Sequence, residues 1–127
     1  MQFTTQNFEL LGKSVIPGET KTLELNIATL HTMTEMKIPI IVSRSLYDGP
    51  TVLLIAGLHG DELTGIEIVR QTIRRGINYP NCGTIICIPL VNVFGFVNQA
   101  RDFPDGRDLN RVFPGSQNGS LASRFAY

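Results

Sequence analysis

The 127-residue sequence has no tryptophan and only two cysteines and two histidines. Cys82 and Cys87 are too few for the disulfide framework of a small secreted domain, so they are predicted to be buried free thiols. Lysine plus arginine equals aspartate plus glutamate at 11 each, so no net field draws the chain to nucleic acid or an anionic membrane. Any chemistry that needs an imidazole depends on His31 or His59.

Long hydrophobic runs are also missing. No run approaches the length of about 20 residues that a membrane-spanning helix needs, and the N-terminus has no signal-peptide pattern. The content of 43% hydrophobic and 17% charged residues is ordinary for a globular protein of this length. We therefore expect a cytoplasmic protein with no membrane or nucleic-acid partner.

The first part of the chain has the alternation typical of half-buried β-strands. Apolar and polar residues alternate over 22–27 and 38–43, and a hairpin connection is predicted near 32–35. Phe8 and its neighbours suggest an earlier strand, and Pro39 would suit a sheet edge. We expect a β-meander over residues 1–48 that leads into an α/β unit over residues 49–127.

The centre of the chain has the pattern of a strand-helix-strand unit. The β-rich apolar run 51–56 predicts a strand buried on both faces, and 84–91 predicts a second strand. Residues 62–75 between them have helical spacing, with Asp61 predicted as N-cap and Gly76 as the C-terminal stop. Two parallel strands with a right-handed crossover follow from this order.

His59 and Glu62 lie just beyond the first of these strands, in the segment Gly-Leu-His-Gly-Asp-Glu at 57–62. An imidazole nitrogen and a carboxylate oxygen can each lie about 2.0–2.2 Å from one Zn²⁺ when the backbone between them turns tightly. The alternative is a solvated histidine followed by a glutamate at a helix N-terminus. Ligands of open α/β sheets collect beyond the carboxyl ends of strands, which favours the metal.

The segment 98–115 follows the second strand and is predicted to be a long loop at the same rim of the sheet. Asn110 and Arg111 are suited to holding a substrate carboxylate by paired hydrogen bonds. Arg101 or Arg107 could add positive charge beside the metal. The alternative is a solvated loop in which the arginines pair with the neighbouring aspartates Asp102, Asp105 and Asp108.

Two motifs, GLHGDE at 57–62 and RDFPDGRDLNRVFPG at 101–115, make the chain resemble the N-terminal part of the succinylglutamate desuccinylase/aspartoacylase family. This family belongs to the wider zinc carboxypeptidase class. The resemblance implies an α/β fold in which the strand-helix-strand unit is part of a zinc carboxypeptidase-like mixed sheet. It also implies one Zn²⁺ per intact subunit and a small N-acyl amino acid-like substrate.

The resemblance assigns a role to each candidate residue. His59 and Glu62 match the first two zinc ligands, and Arg101 matches the arginine that polarises the scissile carbonyl. Arg107 is a rival for that role, because the loop varies in length within the family. The pair that holds the substrate's carboxylate corresponds to Asn110 and Arg111.

Family members complete the zinc site with a second histidine and place the catalytic glutamate later still, whereas this sequence stops at Tyr127. His31 lies upstream and is predicted to be a surface or turn residue, and Ser120 is predicted to cap a final helix. We therefore expect an N-terminal fragment of a zinc-dependent amidohydrolase, inactive by itself and homo-oligomeric through its cut sheet. The alternative is a non-catalytic module that binds small carboxylates or a protein partner.

Overall fold

The computed structural model describes residues 1–127 as an α/β fold with a four-stranded mixed sheet and a separate two-stranded hairpin. None of its helices is both long enough and apolar enough to cross a membrane. The expected fold class is confirmed. In chain order the elements are β1 (Phe8–Leu10), β2 (Lys13–Val15), β3 (Thr20–Thr29), β4 (Glu35–Arg44), β5 (Thr51–Ile55), α1 (Leu63–Arg74), β6 (Thr84–Ile88), α2 (Val93–Asn98), the 3₁₀ turn Leu109–Arg111 and α3 (Leu121–Ala126).

The main sheet has the strand order β3-β4-β6-β5. The β3–β4 and β4–β6 pairs are antiparallel, whereas β5 and β6 are parallel and are joined by α1. The sheet is therefore mixed, as predicted, and it combines strands from both sides of residue 48. The division into 1–48 and 49–127 stays a prediction.

The alternation predicted for β3 and β4 places one row of side chains in the core. Leu23, Ile38, Ile40 and Val42 are all buried and form one cluster together with Val15 and Ile86. Pro39 pairs with β3 outside the part of β4 that pairs with β6, so it takes the edge-like position expected of a residue without an N–H donor.

The predicted helix between β5 and β6 forms, but its start differs. Helix α1 begins at Leu63 with Glu62 as N-cap, so the prediction of Asp61 as N-cap is wrong. The Glu62 carboxylate makes no capping hydrogen bond, because it contacts His59 and Arg101 instead. Gly76 follows the helix with φ of +70°, which confirms the predicted stop.

Strand β5 was expected to be buried on both faces, and this is wrong. It is the outer strand of the sheet, and Val52, Leu53 and Ile55 are 45%, 54% and 40% exposed. Helix α1 covers one face only, where Ile66 and Val69 pack with the strands. The apolar run correctly predicts a strand, but how much of the strand is buried depends on which elements pack beside it.

Three smaller predictions can be compared with the structure. Both cysteines are free; Cys87 is buried as expected, whereas Cys82 precedes β6 and is only half-buried. His31 lies exposed in the β3–β4 turn, as predicted. Ser120 caps α3 by accepting a hydrogen bond from the Ser123 N–H, which also confirms the prediction.

Candidate active site

The chain turns from β5 into α1 over residues 56–62, and backbone hydrogen bonds join this turn to the residues that follow β6. Gly57 has φ of +67°, a conformation that favours glycine. Val91 N–H donates to the Ala56 carbonyl at 3.0 Å, and Asn92 N–H donates to the Gly57 carbonyl at 2.8 Å. These bonds place His59 beyond the carboxyl ends of two parallel strands.

His59 lies between two carboxylates. Its Nδ1 is 3.0 Å from Glu62 Oε1, and its Nε2 is 2.8 Å from Asp108 Oδ1. The His59 side chain is only 9% exposed. The hydrogen bond to Asp108 raises the pKa of His59, and burial of the ring opposes this rise. The same hydrogen bond lowers the pKa of Asp108.

This arrangement can provide two protein ligands for one metal ion. Ligand atoms about 2.0–2.2 Å from a tetrahedral Zn²⁺ lie roughly 3.4 Å apart, close to the 3.0 Å between His59 Nδ1 and Glu62 Oε1. Asp108 meets the opposite ring nitrogen, so it cannot bind the same ion through this geometry. Accordingly, no group of three His, Cys, Asp or Glu side chains is arranged to hold a metal.

Asp108 instead has the position of a carboxylate that orients a metal-binding histidine. Such a partner accepts the second ring N–H and so fixes which nitrogen is free to bind the metal. Asp108 was considered from sequence only as an ion-pair partner of the loop arginines. The sequence signal was Leu109, an apolar residue among the polar residues Asp108, Asn110 and Arg111; in the structure it is fully buried and anchors this part of the loop.

Arg101 joins the same cluster. Its Nη1 donates to Glu62 Oε1 at 3.1 Å, and its Nη2 is 3.7 Å from Asp108 Oδ2. The side chain is 50% exposed, so its guanidinium lies between the buried histidine and solvent. Gln99, in the left-handed conformation at the end of α2, redirects the chain toward this position.

The structure does not bring Arg107 into the cluster. Its Nε is 3.9 Å from Asp105 Oδ2, and its backbone N–H donates to the other oxygen of the same carboxylate at 3.3 Å. The pairing with loop aspartates considered as the alternative holds for all three arginines, since Arg101 and Arg111 each lie 3.7 Å from Asp108, but only Arg107 is paired away from His59. Between the two rival arginines, the geometry favours Arg101 for a role beside His59.

Asn110 and Arg111 lie on the 3₁₀ turn directly after Asp108. The Asp108 carboxylate accepts from the Asn110 backbone N–H at 3.0 Å, which fixes the start of the turn. The Asn110 side chain is exposed, and Arg111 is 82% exposed with its Nε 3.7 Å from Asp108 Oδ2. Both side chains have donors directed to solvent that could contact a ligand at this rim.

Helix α2 and its N-cap Asn92 were missed from sequence. Asn92 is fully buried, and its side chain accepts from the Gly95 N–H at 2.8 Å. An asparagine followed by two apolar residues was the available capping signal. The segment after β6 thus contains two short ordered turns where a single long loop was predicted.

Comparison with known proteins gives one family. Residues 48–126 match the succinylglutamate desuccinylase/aspartoacylase catalytic domain. The chain is 38% identical over 80 residues to N-alpha-acetyl-L-2,4-diaminobutyric acid deacetylase from Halomonas elongata, an alignment that covers 62% of this chain and 23% of the deacetylase.

Solved structures agree with this match. An aspartoacylase family protein from Mesorhizobium loti aligns with 95% of this chain and 37% of its own, at a TM-score of 0.70 and 30% identity. The product-bound ectoine utilization protein EutE (DoeB) from Ruegeria pomeroyi aligns with 87% of this chain and 36% of its own, at a TM-score of 0.65 and 27% identity. This chain therefore spans only a minority of the length of each relative.

Proposed function

Because the chain belongs to the succinylglutamate desuccinylase/aspartoacylase family, we propose that the protein is a zinc-dependent amidohydrolase that deacylates an N-acyl amino acid or a related carboxylate-bearing amide. The name of the Halomonas relative, a deacetylase of an N-acetylated amino acid, supports this substrate class. The observation that carries the proposal is the cluster in which His59, Glu62 and Arg101 meet at the end of the parallel strands.

In this proposal His59 and Glu62 are two of the zinc ligands. Zinc, when bound, supplies hydroxide at neutral pH and withdraws electron density from the amide carbonyl. Asp108 holds the Nε2 side of His59, which leaves Nδ1 facing Glu62. These contacts keep both ligand atoms in place before the metal arrives.

The arginines and the amide act on the substrate. Arg101 stabilises the negative charge that develops on the carbonyl oxygen, because its guanidinium already lies beside Glu62. Asn110 and Arg111 hold the acid group of the substrate, which orients the scissile amide. Arg107 lies at the rim, where its pairing with Asp105 offsets its positive charge, so the role at the carbonyl oxygen goes to Arg101.

A limit follows for the 127-residue chain on its own. Catalytic zinc sites use three protein ligands, and this chain provides two in the geometry described above. We expect the chain alone to bind zinc weakly and to hydrolyse no amide. Tight stoichiometric zinc in the purified chain would contradict this expectation.

The test uses the protein at its natural length. Amine release is measured from N-acetyl-2,4-diaminobutyrate, N-succinylglutamate and an N-acylated aspartate, after removal of metal with a chelator and after return of zinc. We expect zinc to restore the hydrolysis of at least one amide. His59→Ala should lose both bound zinc and activity, whereas the control His31→Ala should keep both, because His31 lies in an exposed turn. Activity retained in His59→Ala would remove the zinc mechanism.

A non-catalytic role remains the second candidate, since the exposed Asn110 and Arg111 could bind a carboxylate without metal. Binding of the same amides is measured by calorimetry with and without zinc, beside the assay of amine release. Equal binding in both conditions without any amine release would favour the binding module.

A further inference from the structure

Asn92 lies at the junction of the two segments that form the candidate site. Its side chain is fully buried, and its Nδ2 faces three backbone carbonyls. These belong to Leu58 at 3.3 Å, Asp102 at 3.4 Å and Arg101 at 3.5 Å. One amide group therefore contacts both the residue before His59 and the backbone of Arg101.

The surroundings of this amide leave no room for other side chains. A Cβ on Gly95 would lie 2.6 Å from Asn92 Nδ2 and 2.7 Å from the Ala100 carbonyl oxygen. A Cβ on Gly60 would lie 1.9 Å from the Gly95 carbonyl carbon. The turn that carries His59 thus packs directly on the backbone of α2, and the Asn92 amide lies beside this contact, facing the Leu58 carbonyl.

Arg101 has no regular secondary structure to hold it. It follows α2 in an irregular stretch, and no strand ladder fixes its distance from His59. Its contact with Glu62 is made by the end of a half-exposed side chain. The Ala100 N–H donates to the Gly95 carbonyl at 2.8 Å, which holds the end of α2 just before residue 101. Beyond that bond, the Asn92 amide faces the carbonyls of Arg101 and Asp102 at 3.5 and 3.4 Å and that of Leu58 at 3.3 Å, so it links this stretch to the His59 turn.

We propose that Asn92 is a positioning residue that sets the place of Arg101 relative to the His59 turn. Its two amide hydrogens are shared among carbonyls of both segments, so they fix one segment against the other. The inference rests on the proposed function, because it takes Arg101 as the group that stabilises the reacting oxygen. A displacement of about 1 Å in such a group can cost about a hundredfold in rate.

If Asn92 acted only as a helix cap, Asn92→Ser would leave the position of Arg101 and the activity unchanged. Asn92 Oδ1 accepts from the Gly95 N–H, and serine serves equally well as an N-cap. Serine has no amide group and is too short to reach the carbonyls of Leu58, Arg101 and Asp102 at once. Asn92→Ser therefore keeps the cap and removes the link between the segments.

The matched control is Asn78→Ser. Asn78 is also buried, at 4% exposure, and its amide donates to Ser43 Oγ at 2.9 Å near the opposite end of the sheet. Both variants remove a buried amide of the same kind, but only Asn92 touches the candidate site. Both are made in the natural-length protein.

Three measurements are compared: resistance to urea, the NMR signals of the Arg101 Nε–H and the His59 ring, and the kinetics of the best substrate. We expect Asn92→Ser to shift both NMR signals. We also expect it to lower kcat by about tenfold or more with little change in KM, because Arg101 is proposed to stabilise the reacting oxygen in the transition state and not in the bound substrate. Asn78→Ser should lose a similar amount of stability with both signals and kcat unchanged.

Unchanged Arg101 and His59 signals with an unchanged kcat in Asn92→Ser would overturn the proposal. If that variant does not fold, Gly95→Ala is the second test, since the added methyl crowds the Asn92 amide. The same shifts are expected there, and their absence would again overturn the proposal. Shifted signals in a protein that hydrolyses none of the amides would retain the positioning role and reject the proposed function.

Discussion

At the scale of single residues, Asp108 connects the candidate site. Its carboxylate contacts the His59 ring at 2.8 Å and lies 3.7 Å from both Arg101 and Arg111. It also starts the 3₁₀ turn that carries Asn110. A change at this carboxylate should therefore affect the metal site without removing a metal ligand.

We predict that Asp108→Asn weakens zinc binding in the natural-length protein by about 10- to 100-fold, the usual effect of losing the partner of a metal-binding histidine. A competition titration against a chromophoric chelator measures the affinity. The control is Asp102→Asn, since the exposed Asp102 makes none of the ion pairs around His59. Equal affinities in the two variants would contradict the orienting role of Asp108.

A second carboxylate in the loop links stability to pH. Asp105 accepts from the Ala122 N–H at 2.9 Å, and this bond is the main cause that lowers the pKa of Asp105 below its usual value. Because the folded pKa is depressed, the stabilisation is present above the unfolded value of about 3.9 and is lost as pH falls through the folded pKa.

Asp105→Asn should therefore reduce the loss of unfolding free energy between about pH 5 and pH 3, since the amide does not titrate. Urea unfolding at several pH values measures how steeply the free energy of unfolding falls with pH, and Asp102→Asn is the control. If Asp105→Asn has the same slope as the unsubstituted chain, the carboxylate does not anchor α3 in the way the structure indicates.

At the scale of helices and strands, the sequence carries local information well. Periodicity was enough to predict β3, β4 and α1, because each has a regular apolar row that packs in the core. The continuous apolar run predicted β6, which is covered on both faces: Ile86 belongs to one core cluster and Cys87 to the other. It could not predict that β5 forms the sheet edge, since strand order depends on contacts distant in the chain. The start of α1 was missed by one residue. Glu62 has the N-cap position, but its carboxylate contacts His59 and Arg101 and makes no capping hydrogen bond, so the usual capping signal is absent.

In the candidate site, too, local features were predicted from sequence and contacts between distant residues were not. The pairing of His59 with Glu62 is a local feature of one turn and was predicted from spacing. The contact of His59 with Asp108 joins residues 49 positions apart, so no local pattern reveals it. The choice between Arg101 and Arg107 likewise depends on α2, which redirects the chain at Gln99. The roles of all these residues stay predictions.

Two glycines near the His59 turn should respond in opposite ways to the same change. Gly65 lies inside α1, and an added Cβ would meet Ala56 Cβ at an ordinary 3.5 Å. Gly65→Ala should therefore raise the free energy of unfolding by about 0.5–1 kcal/mol. Gly60→Ala should lower it by more than about 1 kcal/mol, because its Cβ would collide with the Gly95 backbone.

Urea unfolding of both variants checks the pair, and the difference in sign is the result that matters. Loss of stability in Gly65→Ala would mean that α1 packs more closely on β5 than the structure indicates. Gly60→Ala with unchanged stability would mean that α2 does not rest on the His59 turn.

At the scale of the whole molecule, the edge strand β5 has exposed apolar side chains. Strand β5 pairs with β6 on one edge only, and no strand in residues 1–127 pairs with its other edge. Leu53 and Ile55 alternate with Leu54, which packs toward α1, so they lie on the uncovered face. On the other side of the sheet, Ile68 of helix α1 is also apolar and exposed, at 61%.

An apolar strand with a free edge favours pairing with another chain. We therefore predict that the 127-residue chain forms dimers or larger oligomers in sedimentation velocity experiments, and that Leu53→Lys shifts it toward monomer by placing a charge on this surface. The control is Met33→Lys, because Met33 is 82% exposed in the β3–β4 turn, away from β5. A monomer at high concentration would reject the prediction. An oligomer that resists Leu53→Lys but dissociates with Met33→Lys would assign the contact to the β3–β4 turn.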